Sequence, residues 1–273
     1  MAEDEMNMHT QADFRKIVWM YYKKSGRHDL PWRKTKSLYR ILVSEVMLQQ
    51  TQVERVIPFY KNFMKQFGTV KKLADAPLAE VLKAWQGLGY NRRAKMLHRA
   101  AKELSLHTAS TISELESLPG VGPYTARAVA AFAWNEDVVV IETNIRTAVI
   151  HHFFPQKEKV SDTEIEKILL AVLPKGKSRE WYSALMDYGA YLKRSGVSHN
   201  GRSTTYTKQS KFQGSLREAR GAILRELSKK AAPHEYLESI LGMERKEQIA
   251  QAIESLHKEG FISRKRNQYT LAH

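Results

Sequence analysis

Leu118-Pro119-Gly120-Val121-Gly122-Pro123-Tyr124-Thr125-Ala126 joins two helical patterns through a glycine hairpin. Thr111 to Leu118 reads as a short helix with a polar cap. Pro123 then stands at the first position of the next helix, where its fixed φ and missing N–H cost nothing. Gly120 and Gly122 permit a sharp turn and close approach by a partner. Unpaired N–H groups at the start of the second helix favour an anion. With 44 Lys+Arg against 29 Asp+Glu, a formal +15, the natural anion is a nucleic-acid phosphate. The structural alternative is an ordinary helix–turn–helix corner.

Outward from the hairpin, helical periodicity dominates and the expected class is all-α. Phe14, Ile17, Val18, Tyr21 and Tyr22 recur as one buried stripe. Leu82, Trp85 and Leu88 line a later helix that Gly87 and Gly89 close. Ser161 to Glu164 forms a capping signal for a helix through Leu173, ended by Pro174. Another helix spans about Ser178 to Lys193. Val138 to Ile141 is a short strand candidate leading into a helix at Thr143. At 273 residues the chain holds two compact lobes, or two plus a small appendage.

The Ser/Thr/Gly-rich segment from Ser195 to Gln213 reads as a linker or extended loop. From Lys193 to Lys230 there are ten Lys/Arg and two acidic residues, the steepest charge bias in the chain. Beyond lie three helical patterns, Ser215–Lys229, Pro233–Leu241 and Arg245–Glu259. Phe261-Ile262-Ser263 and Gln268-Tyr269-Thr270-Leu271 then flank a basic turn, Arg264 to Asn267. Three helices and a basic hairpin outline a winged helix, a common DNA-binding module; a helical cap with solvated charge is the alternative.

The chain has no cysteine, which excludes disulfides, thiolate zinc sites and iron–sulfur clusters. The acidic, polar N-terminus lacks an apolar targeting core, and no run approaches a membrane span. A cytoplasmic, nucleoid-associated protein is expected. His151-His152 and His234-Glu235 lack metal-ligand spacing, so no metal site is expected. Trp134, Trp181, Tyr182, Met20, Met186 and Met243 are expected to be packing residues.

Ile41-Leu42-Val43-Ser44-Glu45-Val46-Met47-Leu48 sets one carboxylate in an apolar wall. Helical spacing puts Leu42, Val46 and Gln49 beside Glu45. Partial desolvation there disfavours the charged form, the condition for a general acid at neutral pH. An exposed Glu on the helix's polar side is the alternative. Gln49-Gln50-Thr51-Gln52 follow, four polar side chains able to address base edges or fill a vacated stack.

Leu30-Pro31-Trp32-Arg33, the segment Val43 to Val53, Gly87-Leu88-Gly89-Tyr90 and the hairpin together resemble the catalytic core of MutY-type adenine DNA glycosylases, members of the helix–hairpin–helix glycosylase superfamily. The resemblance covers roughly residues 10 to 192. It implies two helical lobes, 30–142 with the hairpin and 1–29 plus 143–213; the winged-helix-like module read above follows at 214–273. It also implies double-stranded DNA carrying a mispair as partner, one extruded base, and action as a monomer. On this resemblance, Glu45 protonates the leaving adenine and later helps activate water. Gln50 and Tyr90 wedge into the gap, while Thr51 and Leu88 touch the opposite base, 8-oxoguanine or guanine. Trp32, Arg33 and Asp187 line the purine pocket, Asn144 and Tyr124 lie by the sugar, and Gly120, Val121 and Gly122 hold phosphate. Bifunctional relatives carry a lysine where this chain has Tyr124, so a monofunctional enzyme is expected.

Three departures follow. Glu142 stands where the family has an aspartate that stabilises the sugar cation. A carboxylate one methylene further out implies a reshaped pocket, a slower enzyme or another substrate. Lys193, Asn200, Ser203 and Gln209 occupy the places of the cluster cysteines, so that loop must be held by hydrogen bonds and packing, without a cofactor. The short basic module stands in place of the family's large C-terminal domain, from which weaker preference for 8-oxoguanine over guanine is expected. Thymine, uracil or hypoxanthine removal opposite guanine is the alternative activity, and a catalytically impaired lesion-binding protein the alternative class.

Overall fold

The computed structural model describes residues 2–205 and 211–272. In chain order the helices are α1 (Ala2–Ser25), α2 (Leu38–Leu48), α3 (Val53–Gln66), α4 (Val70–Asp75), α5 (Leu78–Trp85), α6 (Arg92–Leu106), α7 (Ile112–Ser117), α8 (Pro123–Val129), α9 (Thr143–Phe153), α10 (Asp162–Val172), α11 (Ser178–Arg194), α12 (Leu216–Lys229), α13 (His234–Ser239) and α14 (Lys246–Lys258). Among the described residues the strands, β1 (Ala232–Pro233), β2 (Ile262–Lys265) and β3 (Gln268–Leu271), are confined to the C-terminal part. The chain divides into two units. One comprises Met1–Leu42, Thr111–Glu116 and Val121–Lys208; the other comprises Val43–Ser110, Ser117–Gly120 and Gln209–His273.

In the first unit, α11 is the central element, packed by α9 and α1. Phe14, Val18, Ile145, Val149, Trp181, Tyr182 and Leu185 are fully or almost fully buried there. Gly189 is why α11 and α9 can approach so closely: a Cβ at that position would lie 2.0 Å from the backbone oxygen of Asn144. The capping box expected at Ser161 is present, with Ser161 and Glu164 bonded reciprocally. Four sequence expectations are corrected here. Ile17 is 40% exposed and Met20 62%, because α1 meets α11 along a stripe narrower than its apolar pattern. Trp134 is only half-buried. Val138 to Ile141 pairs with no strand, yet Val139 and Val140 are buried as an extended segment.

The cluster-like loop is held in the way composition demands. Val160 N–H donates to the Arg202 carbonyl at 2.8 Å, and Thr204 N–H to the Val160 carbonyl at 3.2 Å. Arg202 donates to the carbonyls of Lys157 and Phe154, and Asn200 accepts from the Thr147 hydroxyl at 3.4 Å. Gln209, the fourth position of that spacing, lies outside the described residues.

In the second unit, α6 packs on α4 and α5, and α5 also receives α12. Trp85, Phe63, Leu73 and Leu97 are buried at its centre, with Trp85 edge-on to Phe63 at 5.9 Å between centroids. The C-terminal residues form three helices and an antiparallel sheet ordered β1-β3-β2, the topology of a winged helix. The two-residue β1 escaped the sequence reading, and Met243, expected to pack, is 69% exposed. Arg264, Lys265, Arg266 and Asn267 are all exposed at the hairpin tip. This part is bonded to the helices before it: Lys95 Nζ donates to the carbonyls of Glu259 and Gly260, and Ser228 Oγ donates to Gln86 Oε1 at 3.0 Å.

Candidate active site

α2 carries Glu45 in a helix buried almost throughout, with Leu42, Val43, Ser44 and Met47 at zero exposure and Glu45 itself at 7%. The apolar sequence forces that burial: six of the eight residues from Ile41 to Leu48 are hydrocarbon-rich, so no polar face remains to turn toward water. An exposed glutamate, the alternative reading, is therefore ruled out. α2 stops at Leu48, and Gln50 adopts a left-handed φ of 54°. Tyr90, on the Gly87–Tyr90 loop of the same unit, does likewise at 48°. Non-glycine residues in this region carry strain that their surroundings must hold.

Arg93 does the holding, and the sequence reading missed it. Its Nη1 donates to the carbonyls of Val46, Met47 and Gln49 at 2.7, 2.9 and 2.6 Å. Its Nη2 donates to Thr51 Oγ1 at 3.2 Å and to the carbonyls of Leu88 and Gly89, both at 3.3 Å. One guanidinium thus satisfies the orphan carbonyls at the end of α2 and ties the two loops together. It also lies 5.5 Å from the ring centroids of both Trp85 and Tyr90. Burial lowers its pKa to about 10, which leaves it cationic at neutral pH. The only sequence signal was an arginine three residues beyond Tyr90. Of the loop residues, Gln50 is exposed, Thr51 and Tyr90 are half-buried and Leu88 is buried.

At the hairpin, Gly120 has φ +79°, and a Cβ there would fall 2.5 Å from the Met96 Cβ. Gly122 caps α8 with φ −93° and ψ 177°, and a Cβ there would meet nothing within 4 Å. Val121 is buried. Gly120 is thus demanded by the fold, while Gly122 answers no steric need of the described residues.

The first unit gathers the other candidates. Glu142 is the N-cap of α9: its Oε1 accepts from the backbone N–H of Asn144 and Ile145, both at 2.8 Å. Its Oε2 accepts from Thr143 Oγ1 and Asn144 Nδ2, both at 3.2 Å. Lys193, one turn beyond Gly189 on α11, interacts with the Glu142 charge; burial lowers the lysine pKa while that charge raises it. Tyr124 stands at the second position of α8, partly buried against the core of this unit.

Arg33 and Asp187 come together as a bidentate ion pair, Nη1–Oδ2 2.6 Å and Nη2–Oδ1 3.0 Å. Arg27, also missed in the sequence, adds Nε–Oδ1 at 2.6 Å and its backbone N–H to Oδ2 at 2.8 Å. Burial pushes the Asp187 carboxyl up, but the hydrogen bonds and charges of Arg33 and Arg27 outweigh it and hold its pKa below the ordinary value. Asp187, 2% exposed, thus anchors the Arg27–Arg33 segment to α11 and fixes the neighbouring Trp32, itself buried. Among the described residues no group of three or more His, Cys, Asp or Glu is placed to hold a metal, and no helix is long and apolar enough to cross a membrane.

The chain is 34% identical over 191 residues to the adenine DNA glycosylase of Buchnera aphidicola subsp. Baizongia pistaciae, covering 67% of this chain and 54% of that protein. It is 41% identical over 171 residues to the adenine DNA glycosylase of Mycolicibacterium smegmatis, covering 60% and 58%. The chain therefore spans about half the length of these relatives. Among solved structures, a thermostable thymine-DNA glycosylase superposes with a TM-score of 0.61 at 25% identity, over 67% of this chain and 87% of that one. Endonuclease III trapped covalently on DNA shares the fold at a TM-score of 0.54 and 20% identity, over 68% and 86%. Residues 43–175 match the model of the HhH-GPD superfamily base excision DNA repair protein, and the chain belongs to that superfamily.

Proposed function

We propose that this chain is a monofunctional DNA N-glycosylase of base excision repair that flips out a mispaired adenine and hydrolyses its N-glycosidic bond. The observation that carries the proposal is Glu45, a carboxyl 7% exposed in an apolar helix, inside residues 43–175 that match the superfamily model, in a chain whose relatives named above are adenine DNA glycosylases. A desolvated carboxyl is suited to protonate adenine and then to help activate water. Glu142 is the anion assigned to the sugar cation, with Asn144 and Tyr124 beside it. Gln50 and Tyr90 fill the vacated stack. Thr51 and Leu88 meet the opposite base, 8-oxoguanine or guanine.

Arg33 and Asp187, saturated by each other and by Arg27, support Trp32 as the purine wall rather than bonding the base themselves. Gly120, Val121 and Gly122 receive the phosphate backbone. Tyr124 has no amine to form a Schiff base, so strand cleavage is not part of the assigned activity. The reaction is assigned to a monomer without a cofactor, in the cytoplasm at the nucleoid.

The likeness to a thymine-DNA glycosylase supports a second reading, removal of thymine opposite guanine. Single-turnover base release from duplexes bearing A, T, U or hypoxanthine opposite G or 8-oxoguanine separates the two. Adenine release that falls by about 10²–10⁴ in Glu45→Gln, the usual worth of a general acid, supports the proposal. Undiminished release by that variant ends it.

A further inference from the structure

The second unit contains an alternating ladder of aromatic rings and guanidinium groups. It begins at Trp85, fully buried. Arg93 lies 5.5 Å from the Trp85 ring and 5.5 Å from that of Tyr90. Arg217, in the first turn of α12, lies 4.7 Å from the Tyr90 ring and donates from Nη1 to the Tyr90 hydroxyl. The same guanidinium lies 5.4 Å from the ring of Phe212, which is 54% exposed. The ladder therefore runs from the core, through the strained Tyr90, to an open aromatic face just before the C-terminal module.

The module cannot shift freely on this loop. Ser228 of α12 is bonded to Gln86, next to Gly87, and Lys95 is bonded to Glu259 and Gly260. Tyr90 thus lies between Arg93, three residues along the chain, and Arg217 of α12, and all three belong to one unit.

We propose that Arg217 is a positioning residue for mispair selection: it sets the pose of the Tyr90 ring, and Phe212 extends the base-reading surface to the edge of the C-terminal module. The winged-helix part then contributes to choosing the base pair, in addition to any grip of its basic hairpin on phosphate. An exposed aromatic beside a cation is the chemistry that receives an unstacked base or a sugar face. This inference rests on the assignment of Tyr90 to the vacated stack.

The test uses the full chain carrying Glu45→Gln, so that bound DNA is not processed. Fluorescence anisotropy measures Kd for labelled duplexes with A opposite 8-oxoguanine, A opposite G, and matched A opposite T. Arg217→Met keeps the bulk of the side chain and removes charge and hydrogen bond. It is expected to lower the matched-to-mispaired Kd ratio by about three- to tenfold, the range expected from loss of one cation–π contact. Matched affinity should change less than twofold. Arg217→Lys should recover part of the ratio, and Phe212→Ala should weaken mispaired binding in the same direction.

An unchanged ratio in Arg217→Met overturns the inference. Should that variant not fold, Tyr90→Phe removes only the hydroxyl partner; a reduced ratio there supports the inference and an unchanged one overturns it. The parent chain without the Glu45 substitution keeps the two claims apart. If it releases no adenine while Arg217→Met still erodes selective binding, the assigned activity falls and the positioning role stands.

Discussion

Gly120 and Gly122 look interchangeable in sequence, and the structure gives them opposite reasons to be glycine. Alanine at 120 must adopt φ +79° and push its Cβ to 2.5 Å from that of Met96. The left-handed conformation alone costs ~1–2 kcal/mol, and the overlap with a helical side-chain root adds a further ~1–3 kcal/mol. Melting should fall by roughly 5–15 °C in a chain of this size. Alanine at 122 sits at φ −93° with open space around it. Its stability should be unchanged, or raised by about 0.4–1 kcal/mol through the unfolded chain. The methyl group would nevertheless stand between the hairpin backbone and an approaching phosphate. Losing one hydrogen bond to a charged oxygen costs ~1.5–3 kcal/mol, or roughly 10–100-fold in Kd. Differential scanning fluorimetry and anisotropy on a short duplex measure both quantities. Gly122→Ala binding DNA as tightly as the parent would show that the hairpin is a corner and not a phosphate seat.

Three further outcomes follow from individual contacts. Gly189→Ala drives a Cβ to 2.0 Å from the Asn144 oxygen, so α11 must retreat from α9. A loss on the order of 3 kcal/mol is expected, read as a lower urea midpoint. Glu142→Gln keeps an acceptor for the Asn144 and Ile145 N–H groups and removes the charge. Melting within a few degrees of the parent, with adenine release slowed by on the order of a hundredfold, is the expected pair of results; undiminished release would remove Glu142 from the reaction. His152 is bonded to the Tyr188 hydroxyl at 2.8 Å, and burial, then the neighbouring His151, holds its pKa down to about 4 against an ordinary 6.5. The unfolded chain therefore takes up this proton first as pH falls. Stability is full above about pH 6.5 and declines toward pH 4, by up to ~3 kcal/mol. His152→Gln should flatten that decline in melting curves between pH 7.5 and 4.5, and an equally steep slope would refute the assignment.

Legibility in the sequence followed the range of the interaction. The hairpin, the capping box at Ser161, α12, α14 and the basic β-hairpin are set by residues within a turn or two of each other, and all could be read. Glu45 could be read because its neighbours along one helix determine its burial. Arg93 could not, because its six acceptors lie at the end of α2 and on two loops, from 4 to 47 residues away along the chain, and no local pattern announces a shared cation. Arg27 and Asp187 are 160 residues apart. Ile17 and Met20 misled for the opposite reason: helical periodicity reports an apolar stripe but not how wide a stripe the neighbouring helix covers. Val138 to Ile141 has strand composition, yet burial rather than strand pairing is what its valines serve.

Glu142 shows what a local rule adds to a resemblance. Reading it as a displaced aspartate assumes that side-chain length fixes where the charge sits. In the structure the carboxylate is fixed by what it accepts: two backbone N–H groups at 2.8 Å on the end of α9. Those donors belong to the helix itself, so any acid that caps this terminus must bring an oxygen to the same place. The extra methylene is absorbed in the side chain's path from Cα to that point. The favourable partial charge of the helix end then stabilises the anion at that point. On the proposed role of Glu142, the neighbouring cation of Lys193 weakens the field that a sugar cation would feel. Lys193→Met should therefore raise the rate of base release while leaving duplex affinity nearly unchanged, and a slower variant would mean that the lysine, not the cap, keeps Glu142 in place.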